Sequence, residues 1–373
     1  MGSKEGDDMH SEELDLKHKL ASLLSKSWKE SSEEKLERNW RDIEVVKLDR
    51  LGATSRQFVV CIPKLGDGYR KLFVKQYSSH ERDRCFWNSQ LYRDFEVMKA
   101  LSQWTRDRET FKVVRPYFVI PDELILVTKY IEGENLSYLF SRALRFSRLT
   151  APSFGHLHRI VGFAGNALAE LQSLNRNVLL DLFGQQDMED YITKILLNFD
   201  EAALYLNKAG FFSDLVEAGM RSLQSVIGTL KLTDQGCFQH TDFMLGNLLV
   251  DGQGRLFLFD FPNAGIGLPY FDVAHFITSL EDLSYLRTVS EKHVQNLVKS
   301  FLIAYGAKKG LDPLLLDGFR LYFQFCSTVI ILKSGNSRRS IVWRLFHKNT
   351  LKRFRKRVST LLERIEKGNG ELT

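Results

Sequence analysis

The hydrophobic pattern of this chain changes period along its length. From about residue 43 to residue 77, apolar and polar side chains alternate, the period of strands with one buried face. The alternation predicts strands at Ile43–Leu48, Gln57–Ile62 and Lys71–Tyr77. A Leu65-Gly66-Asp67-Gly68 turn separates the last two. Ahead of them, Leu14, Leu16, Leu20, Leu23, Leu24 and Trp28 recur at loosely helical spacing in a charged segment. This predicts a disordered start, then one amphipathic helix packed on the strands. After a charged connection, Leu91, Phe95, Met98 and Leu101 form the apolar face of a helix. Leu124–Gly133 reads as a strand running into a hinge, and from about 134 to 232 the pattern is helical. Helices are expected at Ala164–Gln172, Asp187–Leu204, Phe212–Leu230, 292–307 and 313–333. A last one carries Leu351, Phe354, Val358, Leu361 and Ile365 on one face. The expected divisions are an extension at 1–40, a small sheet lobe at 41–131, a larger helical lobe at 132–335 and a basic helix at 336–373.

Composition sets bounds on this layout. The 373 residues, 44% of them hydrophobic, suffice for two lobes with a sizeable core. Four scattered cysteines without a C-x-x-C give neither a disulfide framework nor a zinc site, and fit a reducing cytoplasm. No apolar run reaches membrane-span length, and the polar start lacks a signal-peptide core. Gly6 stands where myristoylation wants Ser or Thr. The net charge of +6 fits an enzyme that attracts nucleotide, or an anionic glycan acceptor or lipid surface. In the last helix Lys352, Arg353, Arg355, Lys356 and Arg357 oppose the apolar face. It reads either as a closing helix with a solvated basic side or as a peripheral contact with an anionic membrane. No recognised module supports nucleic-acid binding.

The densest chemistry runs from His240 to Asp260: HTDFMLGNLLVDGQGRLFLFD. His240, Asp242 and Asn247 form H-x-D-x4-N, and Asp260 closes a second apolar strand, Leu256–Phe259. Two carboxylates and an amide thus fall within one loop and hairpin. Phosphoryl transfer needs a carboxylate beside the attacking hydroxyl and oxygen ligands for Mg²⁺, and Asp-x4-Asn is the kinase catalytic-loop spacing. With Gly267-Leu268-Pro269-Tyr270-Phe271-Asp272-Val273-Ala274 following, the stretch resembles the aminoglycoside phosphotransferase / choline kinase family. The resemblance covers roughly residues 45 to 280.

The resemblance implies a two-lobed, protein-kinase-like α+β fold, with a small antiparallel sheet and one helix in the first lobe and a mainly helical second lobe. It implies an ATP- and Mg²⁺-dependent phosphotransferase acting on an alcohol group. Asp242 would be the base, Asn247 and Asp260 the metal ligands, and His240 and Asp272 structural. Lys75 resembles the third-strand lysine that holds phosphates, with Lys71 its competitor. Glu96 resembles the carboxylate partner of Lys75, with Asp94 and Glu81 as alternatives. Thr128 and Tyr130 lie on the strand and hinge where the family holds adenine. The Leu51–Arg56 turn is a weak candidate phosphate cradle. The connection carrying His80, Arg82, Arg84, Phe86 and Trp87 resembles, in charge pattern, an insertion of lipopolysaccharide-core sugar kinases. Lys129, Thr241 and Pro262 depart from the family pattern, where Glu, Gly and Glu are usual. The expected acceptor is a sugar, glycan or aminoglycoside-like molecule. The alternatives are a choline or amino-alcohol kinase and a non-catalytic pseudokinase scaffold.

Overall fold

The computed structural model describes residues 18–28, 44–52, 55–63, 69–77, 84–145, 151–210, 213–230, 236–283, 290–306, 310–335 and 341–368. They divide into two compact units. The first holds residues up to Gly133 together with Phe257–Asn263, and the second holds Glu134–Leu256 and the chain from Ala264 onwards. The return of Phe257–Asn263 to the first unit was not visible in the hydrophobic pattern.

The first unit is built on an antiparallel sheet of order β1-β2-β3-β6-β5: Glu44–Gly52, Ser55–Pro63, Tyr69–Tyr77, Ile125–Lys129 and Pro116–Ile120. Side chains two apart share a face, so the sheet sorts its residues cleanly. Phe58, Val60, Leu72 and Val74 point one way, into a core completed by Leu20, Leu24 and Trp28 of helix α1 (18–28). Those three recur every four residues, so α1 lays one stripe on the sheet. It packs on the strands, as its spacing predicts. Phe73, Lys75 and Tyr77 take the opposite face. There α2 (Arg84–Trp104) packs on β5 and on β4 (Phe111–Val113). Its buried residues are Trp87, Leu91, Asp94, Val97, Met98 and Leu101. Arg84, Phe86 and Trp87 are thus part of α2 and not of the connection. The Leu65–Gly68 turn, the cradle residues Ala53 and Thr54, and Glu81 lie outside the described residues.

The second unit is mainly helical. Strand β7 (Gly133–Asn135) leads into α3 (Leu136–Arg145), α4 (Ala151–Gln172), α5 (Arg176–Phe183), α6 (Met188–Lys208) and α7 (Ser213–Gly228). Then come β8 (Cys237–Gln239) and β9 (Leu248–Asp251), while β10 (Leu256–Leu258) begins in this unit and continues into the Phe257–Asn263 segment of the first. The chain ends in β11 (Gly265–Gly267), α8 (Pro269–Asp282), α9 (Glu291–Tyr305), α10 (Pro313–Gly335) and α11 (Ile341–Glu366). Strand β8 pairs antiparallel with β11, and α10 packs on α6, α7, α8 and α11. Large rings fill this core: Phe276 lies 4.4 Å from Phe301, and Phe199 lies 4.8 Å from Phe325.

One expectation is corrected here, and of the two readings of the last helix the packing bears out the closing one. Pro313–Lys333 of α10 is long and apolar enough to cross a membrane, and 67% of that stretch is buried within the protein. Asp317 and Arg320 break the run, which is why no span-length stretch stood out; both are paired, Arg320 with Asp317 at 2.9 Å and with Glu281 at 2.5 Å. The apolar face of α11 is also occupied, since Phe354, Val358, Leu361 and Leu362 are buried. Arg364 meets Asp317 at 2.9 Å, and Arg357 meets Asp282 at 3.4 Å. The helix therefore closes the second unit, and these buried side chains are not on offer to a lipid surface.

Candidate active site

In the first unit the chemistry gathers around Lys75. Strand geometry puts Lys75 and Tyr77 on the face that α2 covers, and Asp94 projects from that helix between them. The Lys75 ammonium lies 2.6 Å from Asp260 Oδ1 and 3.3 Å from Asp94 Oδ2, and it donates to the Tyr77 hydroxyl at 2.9 Å. Tyr77 donates to Asp94 Oδ2 at 2.6 Å, and the Phe261 backbone N–H donates to Asp94 Oδ1 at 2.7 Å. Burial opposes the charge on Lys75, but Asp260 and Asp94 outweigh it and hold the ammonium protonated well above its usual range. Burial, reinforced by Asp94, keeps the Tyr77 phenol protonated. Asp94 is 1% exposed and ties three things together: the strand lysine, the strand tyrosine and the backbone just after Asp260.

The carboxylate of α2 that meets Lys75 is therefore Asp94, and Glu96 is not its partner. Glu96 has a side chain 58% exposed, 3.9 Å from Lys99. The reason is angular. Asp94 follows Leu91 by three residues and precedes Met98 by four, so it sits inside the buried stripe. Glu96 lies two positions further, about 200° around the helix. A carboxylate inside an apolar stripe was the available signal. Thr128 is buried near the end of β6, two residues before half-buried Tyr130, and Lys71 Nζ stands 5.6 Å from the Tyr130 ring centroid. Lys71 itself pairs with Glu132 at 2.7 Å and not with the Asp94 cluster.

In the second unit the loop after β8 carries Asp242 and Asn247. The β8–β11 pairing aligns Gln239 with Gly265 and Cys237 with Gly267, which sets the first turn of α8 beside the loop. A Cβ at Gly267 would lie 2.0 Å from Gln239 Oε1 and 3.0 Å from Tyr191 Cζ, so a larger residue there must displace the Gln239 amide. From that first turn, Asp272 accepts the His240 N–H at 2.7 Å and the Thr241 N–H at 2.9 Å, one on each oxygen. Asp272 is fully buried, and burial pushes its carboxyl up to about 7 against the opposing pull of those two hydrogen bonds. Thr241 sits at φ 69°, in the left-handed region that a β-branched residue rarely adopts. The usual Gly at this position would adopt it freely. His240 lies edge-on to Phe243 at 5.9 Å.

This clamp presents Asp242, whose side chain is 45% exposed. Asn247 Nδ2 donates to Asp242 Oδ2 at 2.7 Å and to its carbonyl oxygen at 2.9 Å. The nitrogen thus faces Asp242, and the amide oxygen is the atom available to a cation. Asn135 braces the loop from β7, donating to the Gly246 carbonyl at 2.5 Å. One further residue escaped sequence reasoning. His275, on α8, stacks on Phe323 at 4.2 Å and places Nε2 3.8 Å from Asp242 Oδ1. Burial lowers its imidazole below the usual range, against the pull of Asp242.

Asn247 and Asp260 each offer a hard oxygen, the donor type that suits Mg²⁺. The pattern of the phosphotransferase enzyme family matches residues 50–314. No curated protein sequence matches the chain. Among solved structures, the amicoumacin kinase hAmiN in complex with AMP-PNP, Ca²⁺ and Ami aligns over 92% of this chain and 96% of its own, with TM-score 0.56 and 13% identity. An apo thermostable mutant of aminoglycoside phosphotransferase APH(4)-Ia aligns over 85% and 94%, with TM-score 0.52 and 15% identity. A choline/ethanolamine kinase family protein from Mesorhizobium loti aligns over 92% and 99%, with TM-score 0.51 and 15% identity. The likeness fixes a protein-kinase-like fold. With the family pattern spanning both the lysine cluster and the aspartate loop, the chain belongs to the phosphotransferase enzyme family and is a kinase of that family.

Proposed function

We propose that the protein transfers the γ-phosphate of Mg·ATP to a hydroxyl of a sugar, glycan or aminoglycoside-like acceptor. The observation that carries this is the Asp242–Asn247 pair on a loop clamped by Asp272. Asp242 accepts the hydrogen bond of the acceptor hydroxyl and takes its proton as the new O–P bond forms. The bond from the γ-phosphorus to the bridging oxygen breaks, and ADP leaves. Lys75, kept charged by its carboxylate partners, holds phosphate oxygens. Asn247 and Asp260 would hold Mg²⁺, which neutralises phosphate charge. Positioning and electrostatics supply most of the rate in such transfers. A nucleotide substrate is supported by the amicoumacin kinase named above, which carries AMP-PNP. A sugar-ring acceptor is supported by the 12% aromatic content, and within that class the net charge of +6 favours a neutral or anionic glycan over a polycationic aminoglycoside.

The test is Mg²⁺-dependent transfer from γ-labelled ATP to a panel of sugars, aminoglycosides and amino alcohols, beside Asp242→Asn. Transfer to sugars or aminoglycosides, lost in the variant, is the expected result. Transfer only to choline or ethanolamine would replace the acceptor class. Absence of both transfer and Mg·ATP binding would overturn the reading in favour of a scaffold.

A further inference from the structure

Away from the Lys75 cluster, the first unit holds a pocket of about 510 Å³, within the usual range for small-molecule sites. Six cationic side chains line it, Arg70, Lys71, Arg106, Lys112, Arg115 and Lys129, and Glu132 is the one carboxylate among the lining residues. The lining therefore carries a formal +5, close to the +6 of the whole chain. Its cations come from separate places: the start of β3, the turn after α2, the region of β4 and β5, and the end of β6. Residues so distant in sequence converge only through the fold, unlike a basic run along one helix.

The floor is apolar, with Val113 and Phe257 buried. Tyr117 and Tyr130 add rings to the wall, with Arg115 5.8 Å from the first centroid and Lys71 5.6 Å from the second. A concave wall of one charge over a low-dielectric floor concentrates anions. Guanidinium groups match phosphate oxygens two at a time. None of Lys75, Asp94 and Asp260 lines this pocket. Lys71 lies four residues before Lys75 on β3, about 13 Å away along the strand. The pocket is bordered by Lys129–Glu132, the end of the strand and hinge where the family resemblance implies adenine binding.

We propose that this pocket is a second anion site, which binds a small molecule bearing two or more phosphate groups while nucleotide occupies its own site. The probe is fructose 1,6-bisphosphate, titrated calorimetrically into the full chain saturated with MgADP, with fructose as the uncharged control. Binding that persists under MgADP, is absent for fructose and falls with added NaCl is expected. It should weaken at least about tenfold in Arg106→Ala/Arg115→Ala, the equivalent of one charge-assisted hydrogen bond. Both side chains are exposed, and the melting temperature and ADP affinity of the variant report whether its fold is intact. Lys112→Ala replaces it if they change. No binding at low salt, displacement of the probe by MgADP, or equal affinity in the variants would each overturn the proposal. Displacement by MgADP would assign the pocket to the nucleotide instead, and leaves the kinase reading standing.

Discussion

Asp94→Asn and Glu96→Gln form the most discriminating pair of substitutions in this protein. Both remove one negative charge from α2 two residues apart, and the geometry predicts opposite outcomes. Asp94 is 1% exposed, bonded to Tyr77 and the Phe261 N–H, and 3.3 Å from the buried ammonium of Lys75. Removing one partner of a buried ion pair costs roughly 3–5 kcal/mol. The amide keeps an oxygen for Phe261, and Asp260 still meets Lys75, so about half of that is expected, ~2 kcal/mol. Were the same ~2 kcal/mol lost separately from the positioning of Lys75 against phosphate, kcat/KM for Mg·ATP would fall roughly thirtyfold. Glu96 is exposed, and its contact with Lys99 at 3.9 Å is worth under ~0.5 kcal/mol. Urea denaturation gives the stability difference, and ATP kinetics with a fixed acceptor give the functional one. If Glu96→Gln impaired ATP use as much as Asp94→Asn, the assignment of the Lys75 partner would be wrong. If Asp94→Asn lost stability but kept ATP kinetics, Asp94 would be a strut and not part of phosphate handling.

Three further outcomes follow from the second unit. Thr241→Gly relieves about 1–2 kcal/mol of left-handed strain against a glycine cost of ~0.5–1 kcal/mol, so the variant should melt slightly higher; a lower melting temperature would show that the Thr241 side chain contributes packing that outweighs the strain. Asp272→Asn leaves one of two backbone N–H groups without a good acceptor, a loss of about 1–3 kcal/mol, read by denaturation. Because burial raises Asp272 to about 7, the folded chain holds this proton more tightly than the unfolded one. Its contribution is complete below pH ~4 and is lost as pH rises through about 7; the slope of stability between pH 5 and 8 should shrink in Asp272→Asn. Gly267→Ala forces Gln239 aside and should cost ~1–3 kcal/mol, measured by the same denaturation; an unchanged midpoint would mean that the Gln239 side chain moves freely.

The parts of the fold that were legible in the sequence are those whose pattern is local. Alternation predicted β2 and β3, the apolar stripe of α2 packs as expected, and α9 and α10 lie within two residues of their expected ranges. The spacing of Asp242 and Asn247 placed them on one short loop, where they bond each other directly. What escaped detection depends on contacts between distant segments. Tyr77 reads as an ordinary strand residue until α2 lies over it. His275 reads as one polar residue on a helix until Phe323, 48 positions later, stacks on its ring. The cationic pocket draws on strands and turns that no local window joins. Glu96 was misplaced for a different reason. Counting charges near a helix face is not enough, since a shift of two residues turns a side chain from the sheet to solvent.

The departures from the family pattern also separate on physical grounds. Thr241 alters a residue whose own side chain does no bonding in the loop; its backbone N–H does, to Asp272. The strain of the left-handed conformation is held by that hydrogen bond and by its neighbour from His240. Asp272 is therefore what permits a threonine there, because it fixes both amides whatever the intervening side chain prefers. Lys129 has the same character. Its backbone N–H donates to Arg115 at 2.9 Å, its side chain is exposed, and the substitution adds a cation to the pocket wall without touching the main-chain groups that follow. Substitutions of this kind change what surrounds the chemistry and leave the groups that perform it in place. That argues for a working enzyme with its own ligand preferences over a scaffold that has shed its catalytic residues, since a scaffold would have no need to keep Lys75, Asp94 and Asp260 in register across three segments.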